Sequence, residues 1–150
     1  MSHQIKKTIE LNASVSRVWQ ALTDHQQFGA WFRVKIEAPF QLGKEAVGKI
    51  QYPGFEHVTW RVKIEKIEFE RLFAFSWHPY AVEANHDYSK ETPTLCEFRL
   101  EKTPTGTRLT ITETGFDQIP ASRRDEAYRM NSGGWAEQAR NIEAYLGQNP

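Results

Sequence analysis

Among the acidic residues, Glu113 is the one whose spacing turns it inward. It continues the alternating phase of Leu109 and Ile111, so a strict two-residue period places it on the apolar face of its strand. A carboxyl held there suits proton donation to, or abstraction from, a bound molecule. If the strand frays or bulges ahead of Gly115, the same side chain reaches solvent instead. His78 ends an apolar strand in the run Trp77-His78-Pro79-Tyr80. An imidazole at that place fits a general base or a donor that orients a ligand, and it equally fits a simple bond to a backbone carbonyl. Glu113 and His78 are therefore the catalytic candidates. Asn131 and Gln138 share one face of a C-terminal helical pattern with Trp135 and Ile142. Amides on such a face must bond the sheet backbone or line a polar spot in a cavity. Gly133 and Gly134 lie between them, each costing about 1 kcal/mol relative to alanine in a helix interior. That cost points to a close helix–sheet contact, to a kink, or to space kept for a ligand.

Other chemistries lack their residues. His3, His25, His57 and His86 have no metal-ligand spacing, and His78 with His86 and Asp87 is too loose a group. Cys96 is the only cysteine and sits in the apolar phase of its strand, which reads as an inert core thiol. No dinucleotide or phosphate loop and no nucleophile elbow appears. No metal and no cofactor are expected. Lysine plus arginine equals aspartate plus glutamate at 19 each, without a long run of either sign. That balance disfavours nucleic acid as a partner, because phosphate neutralisation dominates such binding. It also disfavours a basic membrane-surface helix. No apolar run is long enough for a leader or a membrane span. With a single cysteine, the expected location is cytoplasmic.

The elements that must position these residues read as one domain over 1–150. Residues 3–12 alternate as a first strand. Ser14 opens a short helix with an apolar stripe of Val15, Val18, Trp19 and Leu22. Asp24 with Gln27 opens a second, ending near Trp31 and Phe32. Antiparallel strands follow at 33–37, 47–52, 57–69 and 72–78. The apolar phase slips between Ile64 and Ile67, which predicts a bulge. Residues 79–93 form a long polar connection of the kind that covers a site. A hairpin spans 94–103 and 107–114. Ser122 with Asp125 predicts the start of a last helix that ends at Gly147. At about 25 residues it would be about 40 Å long and cross a whole sheet. The expected fold is α+β, a curved antiparallel sheet wrapped around the C-terminal helix, with the short helices at one end and an apolar cavity between.

Four segments carry a family resemblance: SRVWQALTDHQQFGAWF at 16–32, ERLFAFSWHP at 70–79, TLCEFRLEKTPTGTRLTITETGF at 94–116 and NSGGWAEQARNIEAYL at 131–146. Together they resemble the domain related to the C-terminal part of the activator of Hsp90 ATPase, within the START-like, Bet v 1-like superfamily. The resemblance implies a helix-grip fold and a cavity between sheet and helix that takes lipids, hormones or polyketides in some members. The chaperone-activating members carry a separate N-terminal domain, so a chaperone partner is not the expectation here.

The expected function is binding of a small apolar or aromatic molecule in that cavity. Trp31, Phe32, Trp60, Phe75 and Trp77 are expected as walls, with Tyr80, Phe98, Phe116 and Trp135. Asn131, Gln138, Glu113 and His78 are expected as orienting polar groups. The alternatives are a cavity enzyme using cyclase- or hydrolase-like proton transfer, and an interaction module for a chaperone. Sheet-edge strands also allow pairing into a homodimer.

Overall fold

A computed structural model describes residues 4–83 and 85–150. The predicted first residue of the opening strand, His3, lies outside them. Strand β1 is Gln4–Leu11, and two helices follow, α1 Val15–Thr23 and α2 His25–Phe32. The remaining strands are β2 Val34–Ile36, β3 Glu45–Ile50, β4 Thr59–Glu68, β5 Leu72–Trp77, β6 Thr94–Thr103 and β7 Gly106–Thr114. A single 3-10 turn leads into α3, Ala121–Gln148. All strands pair antiparallel in one sheet of order β1-β7-β6-β5-β4-β3-β2. This is the predicted α+β helix grip.

Local chemistry accounts for the elements. Ser14 caps α1 by accepting from the Arg17 N–H at 3.1 Å. Asp24 closes α1 and caps α2, accepting from the Gln26 and Gln27 N–H groups. The α2–β2 corner is tight: a Cβ on Gly29 would stand 2.4 Å from the Val34 carbonyl oxygen, so only glycine fits. The predicted slip in β4 is a register shift between Ile64 and Lys66.

Three predicted features differ. Ser122 and Asp125 form no capping box, because α3 starts earlier, with Pro120 at the cap position and no side-chain cap. The Arg123 and Arg124 N–H groups bond the Pro120 carbonyl instead, at 3.0 Å each. At the other end α3 runs through Gly147 to Gln148, so that glycine does not stop it. The predicted 47–52 strand lies two residues earlier, at Glu45–Ile50.

The core lies between the concave face and the helices. Phe28 is its centre, with the rings of Trp60, Phe73, Phe75 and Phe98 all within 6.5 Å of its own. From α3, Ala127, Trp135, Gln138, Ile142 and Leu146 are buried against this layer. No helix among the described residues is long and apolar enough to cross a membrane.

Candidate functional site

Glu113 is fully buried, and its neighbours explain how. Strand β7 stays regular to Thr114, so the alternation that turns Leu109 and Ile111 inward also turns Glu113 inward. One oxygen accepts from Trp135 Nε1 at 2.8 Å and Asn131 Nδ2 at 3.0 Å. The other accepts from Trp77 Nε1 at 2.7 Å and Thr94 Oγ1 at 2.5 Å. Its cross-strand partner Cys96 adds a thiol hydrogen bond. Burial first, and then the Glu113 charge and hydrogen bond, push the Cys96 thiol well above its ordinary range. The donors come from β5, β6 and α3, so this one carboxyl ties the helix to the middle of the sheet.

The two indoles bonded to Glu113 also form a floor. Trp77 and Trp135 lie 5.7 Å apart between ring centres, tilted by 31°, and Phe32 meets both at 6.2 and 5.9 Å. Above these rings is a chamber of about 480 Å³. Gly133 and Gly134 of α3 line one side, and a Cβ on either would meet nothing within 4 Å. The opposite side is Ile50 and the turn Tyr52, Pro53 and Phe55, with Tyr80 and Val82 from the long connection. The glycines therefore make no close helix–sheet contact. They leave open space.

A second chamber of about 640 Å³ adjoins the first, and both are lined by Phe32, Ile50, Trp77, Tyr80, Val82 and Asn131. Its other walls include Val58–Lys63, Ser76, His78 and Tyr88. His78 Nε2 donates to the Glu91 carbonyl at 2.9 Å, which fixes the ring through the backbone.

The long connection 79–93 is held down from α3. Arg123 makes a fork to the Glu91 carboxylate, with contacts from 2.7 to 3.2 Å, and donates to the Pro79 carbonyl at 2.9 Å. Its guanidinium lies 4.7 Å from the Tyr88 ring centre. The Arg123 hydrogen bonds hold the Glu91 carboxyl below its usual range. At the far rim, Asn141 donates to the Tyr52 hydroxyl at 2.9 Å and to Gln138 Oε1 at 3.0 Å. Gln138 Nε2 in turn donates to the Phe32 carbonyl at 3.2 Å. Burial, then the Glu137 charge, raises the Tyr52 phenol.

Of the predicted site residues, Phe32, Trp77, Tyr80, Asn131, Trp135 and Gln138 line the first chamber, and Trp60 and His78 line the second. Trp31, Phe75, Phe98 and Phe116 line neither. Trp31 donates its indole N–H to the Ala21 carbonyl at 2.9 Å, and the three phenylalanines are fully buried in the core. Glu113 lies behind the floor rather than on it. Sequence reasoning missed Thr94, although it shares the inward phase of Cys96 and Phe98. It also missed Tyr52, Phe55 and Arg123, whose roles arise only from loops brought together. No cluster of His, Cys, Asp or Glu able to hold a metal occurs among the described residues.

A curved antiparallel sheet closed on one long helix, with a chamber between them, defines the helix-grip class. Residues 12–147 match the family described as activator of Hsp90 ATPase homolog 1-like protein, and the chain belongs to that family. Solved structures share the fold. MLL2253 from Mesorhizobium loti is 18% identical with a TM-score of 0.78, over 98% of both chains. A protein from Arthrobacter aurescens is 22% identical with a TM-score of 0.74, over 97% of this chain and 87% of that one. DynU16, a protein of the dynemicin biosynthetic locus, is 17% identical with a TM-score of 0.76. That match covers 99% of this chain and 49% of DynU16. No curated protein matches the chain.

Proposed function

We propose that the protein binds a small apolar or aromatic molecule in the chamber between α3 and the Tyr52–Phe55 turn. The observation that carries this reading is the open space over Gly133 and Gly134, facing an aromatic floor of Phe32, Trp77 and Trp135. A helix would be more stable with alanine at both positions, and no packing contact requires glycine there. Aromatic rings with a few fixed polar groups are the composition expected of a small-molecule site. Asn131, Tyr80 and the Tyr52–Asn141 pair supply those groups at the rim.

Glu113 serves this site as a positioning residue. Its oxygens are occupied by donors from five side chains, the Cys96 thiol among them, and it fixes the floor indoles from behind. Proton transfer by Glu113 is correspondingly disfavoured, since a substrate in the chamber meets the rings first. The single buried Cys96 fits a reducing location such as the cytoplasm. The free edges of β1 and β2 leave room for a homodimer.

The test uses tryptophan emission during titration with 1-naphthol, an apolar aromatic probe. Saturable quenching is expected. Gly134→Leu, which places a side chain in the chamber, should weaken binding about tenfold or more, because affinity here depends on vacant apolar volume. Unchanged affinity in a folded Gly134→Leu protein would place the ligand elsewhere.

A further inference from the structure

Most polar atoms along the aromatic floor are already committed within the protein. The Trp77 and Trp135 indole N–H groups go to Glu113, and Gln138 is tied to the Phe32 carbonyl and to Asn141. Asn131 differs, because only one end of its amide is used. Its Nδ2 donates to the two Glu113 oxygens at 3.0 and 3.3 Å. Glu113 settles which way the group faces, since the opposite orientation would set the amide oxygen against carboxylate oxygens, acceptor against acceptor. Oδ1 therefore points away from Glu113, and no donor among the described residues meets it. Among the described residues, the one sealed side-chain nitrogen or oxygen without a partner is Trp60 Nε1. Asn131 Oδ1 is thus not sealed, and reaches open space.

That space is the junction of the two chambers, because Asn131 lines both, with Trp77 and Tyr80. Asn131 and both indole N–H groups converge on one carboxyl, so the amide stands at the edge of the floor. A flat molecule lying on the floor would bring a substituent on its own edge to Oδ1. The Glu113 carboxylate behind the amide polarises it and strengthens Oδ1 as an acceptor. The same charge repels an anion at this spot. Arg129 and Glu137 also line the first chamber, but both are exposed, are opposite in sign and flank Gly133 along the helix, so neither sets a charge preference. Tyr80 marks the junction in another way. Its backbone sits at φ 50°, in a region that bulky residues rarely adopt, and Arg123 donates to the Pro79 and Tyr80 carbonyls at 2.9 and 3.4 Å. Such strained conformations gather at ligand sites.

We propose that Asn131 selects an aromatic ligand that carries a hydroxyl or N–H on the ring edge facing it, a hydroxyarene or arylamine in class. The same ring bearing an ether or a carboxylate there is rejected. The proposal rests on the reading that the first chamber takes an aromatic molecule. An ether in that place donates nothing and leaves two acceptors facing each other once the ligand has displaced water.

The test compares 1-naphthol with 1-methoxynaphthalene and 1-naphthoate by tryptophan emission at neutral pH. Burial of apolar area alone would favour the ether. Instead, 1-naphthol is expected to bind about tenfold more tightly than either of the others. In Asn131→Ala the preference over the ether should vanish while the ether still binds. A second measurement needs no variant: in isotope-labelled native protein, nuclear Overhauser contacts should join the Asn131 side chain to the naphthol ring proton beside the hydroxyl. An ether or a naphthoate that binds as tightly as 1-naphthol overturns the proposal and leaves the aromatic chamber standing. So does a preference that persists in folded Asn131→Ala protein, or contacts from Asn131 to the far ring alone. Binding of none of the three removes the chamber reading, and this proposal with it.

Discussion

Each oxygen of Glu113 accepts from one indole N–H, and this makes the position intolerant of even an isosteric change. In Glu113→Gln, whichever way the amide turns, its NH2 group faces an indole N–H, either Trp77 or Trp135. Two donors then meet in a fully buried site. A loss of about 3 kcal/mol is expected, measured by urea unfolding of the two proteins. Cys96 gives a second prediction at this scale. Its thiol is buried against Glu113 and pushed well up, so the thiolate that reacts is scarce. A disulfide exchange reagent should leave Cys96 untouched in the native protein and label it fully in urea. Labelling at equal rates in both conditions would show that the Glu113 cluster opens readily.

At the scale of elements, α3 carries a local weakness that the chamber requires. Gly133→Ala and Gly134→Ala should each stabilise the protein by about 1 kcal/mol, because the helix gains and nothing clashes. Thermal unfolding of the two variants checks this. The same helix shows where sequence reading stops. Glu113 was legible because β7 keeps a two-residue period up to Thr114, and Gly115 then turns the chain at φ 105°. The β4 bulge was legible because a phase slip has one cheap structural solution. The start of α3 was not. Ser122 and Asp125 have the right types and spacing for a cap, but Pro120 with its fixed φ begins the helix ahead of them. The chamber walls were legible only in part. Trp77 and Phe75 belong to one strand face, yet one faces the chamber and the other is sealed in the core. That distinction depends on where β4 and β5 part, which no local pattern records.

For the whole molecule, the Arg123–Glu91 fork joins the long 79–93 connection to α3 and makes its attachment depend on pH. The Glu91 carboxyl is held below its ordinary value of 4.5, chiefly by hydrogen bonds from Arg123. The unfolded chain therefore binds a proton at Glu91 at a higher pH than the folded one. The stabilisation is present in full above the ordinary value and is lost as pH falls through the lower folded value. Native protein should melt above Glu91→Gln at neutral pH, and the gap should close as the pH falls below the ordinary carboxylate range. A gap that stays constant on acidification would remove the fork from the acid response.

The pairing of β1 with β7 has a consequence for how the protein is made. Leu11 and its partner Thr107 sit side by side in the finished sheet, but one leaves the ribosome long before the other. At ordinary translation speeds the delay is about 5–20 s. Throughout that interval the nascent β1, with Ile5, Ile9 and Leu11 along one face, has no neighbour to hydrogen-bond, and α3 has not yet been synthesised. The sheet closes only from its late side, so early release of the chain would yield a sticky fragment rather than a smaller fold.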